Sequence, residues 1–191
     1  MLFRSRKFFT LLWLLFPVAV VYYHFNDGQN QIAREKARVH VAKIRALEVA
    51  KEPDWGTIIE EYDKLATELP ADEAPLVKHQ IRLAKAKARL EMLNIVGAIE
   101  DLTALLQEAA QVHGDDAKVT RGIREMLGKA HYYATYLLKT NGAPEEEWRP
   151  YAERTRQIFR YLAEHQDTAA LAQYERRVEA EFEKTMQRRT P

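Results

Sequence analysis

The sequence contains no cysteine, which excludes several classes of protein at the outset. Disulfide frameworks, thiolate zinc sites, iron–sulfur clusters, covalently attached c-type haem and thiol catalysis all need cysteine side chains. Charge of one sign is also lacking, because 29 basic and 28 acidic residues leave a formal net charge of +1. A charge balance this even produces no strong electrostatic field, and we therefore expect no nucleic-acid partner.

Glycine and proline are scarce, with 7 of each among 191 residues. Both residues disfavour helix interiors, whereas the frequent Ala, Leu, Glu, Lys and Arg favour them. From residue 30 onward, no segment alternates apolar and polar residues in the manner of a β-strand. The sequence therefore predicts an all-α protein with one soluble domain of ordinary size at residues 29–191.

A long apolar segment, Phe8 to Phe25, lies near the N-terminus and contains no fully charged side chain. As a helix it would extend over about 27 Å, close to the thickness of a bilayer core. It ends in aromatic residues and not in a small-residue cleavage site. This favours an uncleaved signal anchor over a cleaved signal peptide or a buried helix. Basic residues precede the segment: Arg4, Arg6 and Lys7.

These basic residues predict a cytoplasmic N-terminus by the positive-inside tendency. We therefore predict that residues 1–28 form a cytoplasmic basic tip and a single transmembrane helix. Residues 29–191 are then expected on the extracytoplasmic side, which is the periplasm if the organism is bacterial.

Turn-forming residues divide the domain into helices. Breaks are predicted at Pro53-Asp54, Leu69-Pro70, Asn94, His113-Gly114-Asp115 and Asn141 to Pro144. Apolar residues recur at helical spacing between these breaks, so consecutive helices are expected to form antiparallel hairpins. After Gln166 we predict a C-terminal capping helix with one narrow apolar stripe: Leu171, Tyr174, Val178 and Phe182.

Alignment of the hairpins indicates an internal repeat, with small residues at Ala46, Ala86 and Gly128, spaced 40 and 42 apart. The segment from Leu127 to Tyr132, LGKAHY, resembles the L-G-x-A-x-Y pattern of the tetratricopeptide repeat (TPR) family. Further matches to that family's second helix and repeat end are Asn94, Ala98-Ile99, Leu102 and Pro70. The resemblance covers about residues 39 to 166 and implies a TPR-like array of about three helix hairpins.

The resemblance implies a binding scaffold and not an enzyme, since the concave face of such arrays usually accepts a peptide or a partner helix. On this alignment the residues that face the groove are His40, Lys43, Lys87, Glu125, Lys129 and Tyr132. The family's clamp for a C-terminal carboxylate is absent. Lys43 fits one position of that clamp, and its other positions are filled by Leu47, Ala84, Gly122 and Met126.

A cationic stripe occupies one face of the third helix, where the family pattern expects apolar residues at three positions. Its members are spaced by four, three and four residues: Lys78, Arg82, Lys85 and Arg89. One interpretation is a docking strip for an acidic partner or for lipid headgroups. The other is a solvated face that pairs with Glu60, Glu61 and Glu68 of the preceding helix.

The long fifth helix is rich in aromatic residues. Some of these residues, together with a later histidine, could line a ligand pocket, or they could form a packed core in which their polar groups are hydrogen-bonded. The set is His131, Tyr132, Tyr133, Tyr136 and His165. The histidines form no His-x-x-x-His or Glu-x-x-His motif, and no phosphate loop or nucleophile motif occurs. We therefore predict no metal, no cofactor and no enzymatic activity.

The main functional hypothesis is a membrane-anchored, TPR-like scaffold that mediates protein–protein interaction or complex assembly on the extracytoplasmic side. Its expected partners are subunits of a membrane or envelope complex. The alternative is an accessory structural subunit of a membrane enzyme complex, whose anchor packs among other membrane helices. A third hypothesis is an enzyme or small-ligand binder that uses the tyrosine-rich helix.

Overall fold

The computed structural model describes residues 28–70 and 72–165, and every regular element within them is an α-helix. The six helices are α1 (Gln29–Glu48), α2 (Trp55–Glu68), α3 (Pro75–Glu91), α4 (Ile95–His113), α5 (Lys118–Thr140) and α6 (Glu145–Glu164). The predicted all-α class is thus confirmed for this part of the chain. The predicted anchor, Phe8 to Phe25, and the predicted C-terminal capping helix lie outside the described residues. None of the six helices combines the length and the apolar character that a membrane crossing needs.

The helix boundaries follow the predicted breaks because local side chains encode them. The Asp54 carboxylate accepts the Thr57 backbone N–H at 3.2 Å, and the Asn94 side chain accepts that of Gly97 at 3.1 Å. Both are N-caps that satisfy donors left open at a helix start. Gly114 and Gly142 follow α4 and α5 with φ of +87° and +73°, a conformation that glycine adopts without steric cost.

Each helix packs on the next one along the chain, and α3 in addition contacts α5. The buried side chains form two clusters. The first joins α1, α2 and α3 through Ala37, Ile44, Ile58, Tyr62, Leu65 and Ala88. The second joins α3, α4 and α5, with Ala86, Leu102 and Ile123 among its fully buried members. α3 is therefore the helix that contributes to both clusters.

The sequence predicts only one of these two faces of α3. The predicted stripe was Val77, Ile81, Ala84, Ala88 and Met92. Ile81, Ala84 and Ala88 do pack in the first cluster, but Met92 is 43% exposed. The second face, with Ala86 and Leu90, is equally buried. Short alanine side chains let α3 approach helices on both sides, so the predicted stripe covers one of its two buried faces.

Two of the three small-residue positions are close packing points. Ala86 is fully buried, and a Cβ atom built on Gly128 would lie 3.0 Å from Ile158 Cγ2 of α6. Ala46, in contrast, is exposed, so this small residue does not mark a close packing point. The buried residue in that part of α1 is Ile44, which precedes Ala86 by 42 residues, the interval that also separates Ala86 from Gly128.

Candidate functional site

An open groove lies between α1 and α3, above α2, with a volume of about 480 Å³. It exists because α3 packs directly on α5, whereas α1 and α3 pack far less extensively on each other. Its surface is mainly apolar: Ala37, Val41, Ala42, Leu65, Leu69, Pro70, Val77 and Ile81. A smaller space of about 250 Å³ shares Val41, Leu65 and Ile81 with it, so the groove continues along α1.

Three arginines of α1, Arg34, Arg38 and Arg45, line one side of the groove. Together with Val41 they are spaced by four, three and four residues, so they form one stripe along the helix. We call Arg34, Arg38 and Arg45 the arginine row. Sequence reasoning missed it, although the spacing is visible in the sequence. What the sequence did not reveal is that α1 and α3 leave a groove beside it.

The arginine row is weakly engaged by the protein itself. Arg34 approaches Asp72 at 3.8 Å and Arg38 approaches Glu35 at 2.6 Å, and the side chains of both pairs are more than half exposed. Exposed pairs of this kind contribute little stability. Within residues 28–70 and 72–165, Arg45 forms no ion pair. The row is therefore available to bind an anionic group from outside.

Two of the predicted groove residues, His40 and Lys43, instead hold a buried carboxylate. Glu61 of α2 has a side chain that is only 1% exposed. Lys43 Nζ and Lys64 Nζ each donate to its Oε1 at 2.8 Å, and His40 Nδ1 lies 2.7 Å from its Oε2. These hydrogen bonds, from Lys43 first and then Lys64 and His40, lower the pKa of Glu61 to about 2. The contacts join α1 to α2, which is a structural role.

We expect Glu61→Gln to lower the urea midpoint of unfolding at pH 7. The amide keeps the shape of the side chain but removes the negative charge that faces Lys43, Lys64 and His40. Because the folded-state pKa lies below the ordinary value of 4.5, this contribution is present above about pH 4.5 and is lost as pH falls toward 2. Glu60→Gln, at the exposed neighbouring position, is the matched control. Equal midpoints for the two variants would contradict the prediction.

The other four predicted groove residues lie on α3 and α5 in different environments. Lys87 is exposed on α3, and Glu125 and Tyr132 are half-buried on α5. Lys129 is buried, with its Nζ 5.4 Å from the centre of the Tyr133 ring. A cation above an aromatic face gains a modest electrostatic attraction. That these residues contact a partner stays a prediction.

The cationic stripe of α3 pairs with carboxylates on both neighbouring helices. Lys85 pairs with Asp63 of α2, Arg82 pairs with Glu108 of α4, and Arg89 pairs with Asp101 of α4 at 2.8 Å. The partners predicted from the sequence, Glu60, Glu61 and Glu68, were therefore wrong. The physical reason is that α3 lies between two helices, so its charges have acceptors on two sides. Lys78, the fourth member, is half-buried, and binding of an acidic partner by this stripe stays a prediction.

Sequence reasoning did not predict that His79 and His113 would meet. His79 is only 2% exposed, and its Nδ1 lies 3.0 Å from His113 Nε2. Its other nitrogen, Nε2, lies 3.1 Å from Glu108 Oε1, and the hydrogen bonds from Arg82 and then His79 lower the pKa of Glu108. This hydrogen-bonded chain ties α3 to α4. Across the described ranges, no three His, Asp or Glu side chains are arranged to hold a metal ion.

The aromatic residues around α5 form packed contacts with α6. The rings of His131 and Tyr151 lie 5.8 Å apart, whereas His165 stacks on Tyr161 at 4.1 Å. The two histidines thus contact different tyrosines. Burial, assisted by the charge of Arg154, lowers the pKa of His131 to about 4. Burial supports the packed-core interpretation for His131 and Tyr133, whereas His165 is exposed at the end of α6.

The chain matches no family model, no curated protein and no solved structure. The function is therefore inferred from the geometry of the described residues. Among these features, the groove beside the arginine row is the one that is open, apolar and lined by charges that the protein leaves largely unused.

Proposed function

We propose that this protein is a membrane-anchored, TPR-like helical scaffold that binds another protein on the extracytoplasmic side and assists assembly of a membrane or envelope complex. The observation that carries the proposal is the open apolar groove between α1 and α3. Grooves between helices are a common mode of peptide and helix recognition.

The repeat-like organisation supports the scaffold part of the proposal. Each helix packs on its neighbour in the chain, as in arrays of stacked hairpins. Ile44, Ala86 and Gly128 occur at equal intervals of 42 residues on the first helices of three successive hairpins. The apolar segment Phe8 to Phe25 supports the membrane anchor.

Site-specific photocrosslinking tests the interaction. A photoreactive amino acid at Val41 or Ile81 in the groove, or at Val96 and Lys87 on other surfaces, is introduced into the full-length protein in its native host. We expect ultraviolet light to produce discrete crosslinked products with a membrane or envelope protein. Absence of any specific product from all four positions would overturn the proposal.

The absence of cysteine allows a clean test of topology. Lys51→Cys places one thiol in the exposed turn between α1 and α2. We expect a membrane-impermeant maleimide to label this thiol from outside the cytoplasmic membrane. Labelling only after the membrane is permeabilised would contradict the extracytoplasmic placement.

Exposed apolar side chains on α1 favour a second candidate function, an accessory structural subunit of a membrane enzyme complex. Val39 is 66% exposed and Val49 at the end of α1 is 83% exposed. A permanent subunit would cover them and would use Phe8 to Phe25 as part of the interface. Co-purification of a stoichiometric enzyme complex, lost when that segment is replaced by a generic anchor, would favour this function over the first.

A further inference from the structure

We propose that the groove between α1 and α3 binds an acidic amphipathic helix of the partner protein, with its carboxylates along the arginine row. This inference rests on the proposed scaffold function and adds the binding site and the chemistry of the partner to it.

The charges of the groove are unequal on its two sides. The α1 side carries Arg34, Arg38 and Arg45, whereas the opposite side presents Val77 and Ile81 of α3 with one acidic residue, Glu73, at its end. The continuation of the groove adds one further acidic residue, Glu48, which already accepts a hydrogen bond from Tyr62 at 3.1 Å. A bound segment therefore gains from carboxylates along the edge that faces α1.

The length of the arginine row sets the length of the segment. From Arg34 to Arg45 the helix rises by about 16 Å, which equals about three helical turns. A helix of three turns presents apolar residues at i, i+4 and i+7 on one side and carboxylates on the adjacent side. The apolar side fits above Leu65 and Ile81, and the acidic side lies against α1.

A lipid surface would use the same arginines in a different manner. Three helices line the groove, so a flat membrane would reach the arginine row at the rim but not the half-buried side chains of Val77 and Ile81 across the groove. An inserted helix contacts both the row and these side chains. The geometry therefore favours the peptide, and anionic vesicles become a separate arm of the test.

Two fluorescein-labelled model helices of about 12 residues, the length of the arginine row, provide the probe. Both carry leucine at i, i+4 and i+7 positions. One has glutamate along a single edge, and the other has lysine at those positions. Binding to the full-length protein in nanodiscs of zwitterionic lipid is measured by fluorescence anisotropy, with empty nanodiscs as the blank. We expect the glutamate helix to bind about tenfold more tightly than the lysine helix, and more weakly as salt increases.

Charge reversal of the arginine row, R34E/R38E/R45E, is expected to weaken binding of the glutamate helix by at least about tenfold. The matched control reverses three exposed arginines of α6, R149E/R156E/R160E, and is expected to leave the affinity unchanged. Circular dichroism checks that both variants are folded. Ala42→Trp, which fills the groove from an exposed position of α1, is expected to abolish binding without any change of charge.

Equal affinities for the two model helices, or equal effects of the two triple variants, would overturn the inference. So would binding to vesicles with anionic headgroups that needs the arginine row while the glutamate helix does not bind. If photocrosslinking finds a partner from Val96 or Lys87 but not from Val41 or Ile81, the groove assignment fails and the scaffold function stands. If no position yields a partner, the scaffold function itself fails.

Discussion

Replacement of Gly128 by leucine is expected to lower the free energy of unfolding by about 3 kcal/mol, at the upper end of the usual cost of overpacking. A Cβ atom at this position already lies 3.0 Å from Ile158 Cγ2 and 3.1 Å from Phe159 Cζ. Phe159 is buried in the contact between α5 and α6, so its ring has little room to move. The remaining atoms of leucine force the two helices apart. Urea unfolding of the full-length protein, followed by circular dichroism, measures the loss.

Gly122, on the same helix, provides the matched control. Its nearest neighbour is Leu83 Cδ2, 3.9 Å from the position of a Cβ atom, which is ordinary van der Waals contact. We therefore expect Gly122→Ala to stabilise the protein by about 1 kcal/mol, because alanine has the higher helix propensity. Alanine at Gly128 would gain the same helix propensity but would bring its Cβ atom into a tight contact, so the net stabilisation is smaller. A Gly128→Leu variant as stable as the wild type would show that α5 and α6 do not depend on this close approach.

The helix boundaries and the importance of Gly128 were accessible from the sequence because they depend on local chemistry. Asp54 and Asn94 cap the helices that directly follow them, and Gly114 ends α4 through its own backbone conformation. A glycine inside a long helix costs helix propensity, which indicates a compensating contact. That close contact exists at Gly128 but not at Gly122. Each of these inferences needs only a few neighbouring residues.

The residues that each helix face contacts could not be predicted from the sequence, because they depend on which helices become neighbours in space. The stripe on α3 contains the predicted cations. Arg89, however, pairs with Asp101 of α4, whereas the sequence-based prediction considered only carboxylates of α2. The contact between His79 and His113 joins residues 34 positions apart that no motif connects. Such pairings follow from the packing of α3 between α2 and α4.

The groove itself has no counterpart in the local sequence. It results from the difference between two helix pairs, since α3 and α5 pack directly while α1 and α3 leave a space above Leu65. The small residues that bring helices together are visible, but the exposed position of Ala46 shows that a small residue alone does not mark a contact. His40 and Lys43 hold Glu61, whereas the cations that line the groove are those of the arginine row, which sequence reasoning did not single out.

The protein is expected to lose stability as pH falls from about 6.5 to about 4, and His131 contributes a defined part of that loss. Burial holds the pKa of His131 at about 4 in the folded state, below the ordinary value of 6.5. Between these values the unfolded chain binds a proton that the folded chain does not, so unfolding becomes more favourable. The difference corresponds to about 3 kcal/mol when complete. Below pH 4 both states are protonated and this contribution no longer changes.

Comparison with His131→Phe isolates this contribution from the other titrating groups. Within the described residues, His131 Nδ1 has no hydrogen-bond partner, and a phenyl ring preserves the contact with Tyr151. We therefore expect the variant to be at least as stable as the wild type at pH 7. Its advantage should grow by about 3 kcal/mol as pH falls to 4, measured by urea unfolding at each pH. His165→Phe, at an exposed position, should show no such growth. A constant difference between His131→Phe and the wild type would mean that His131 is protonated in the folded protein as readily as in the unfolded chain.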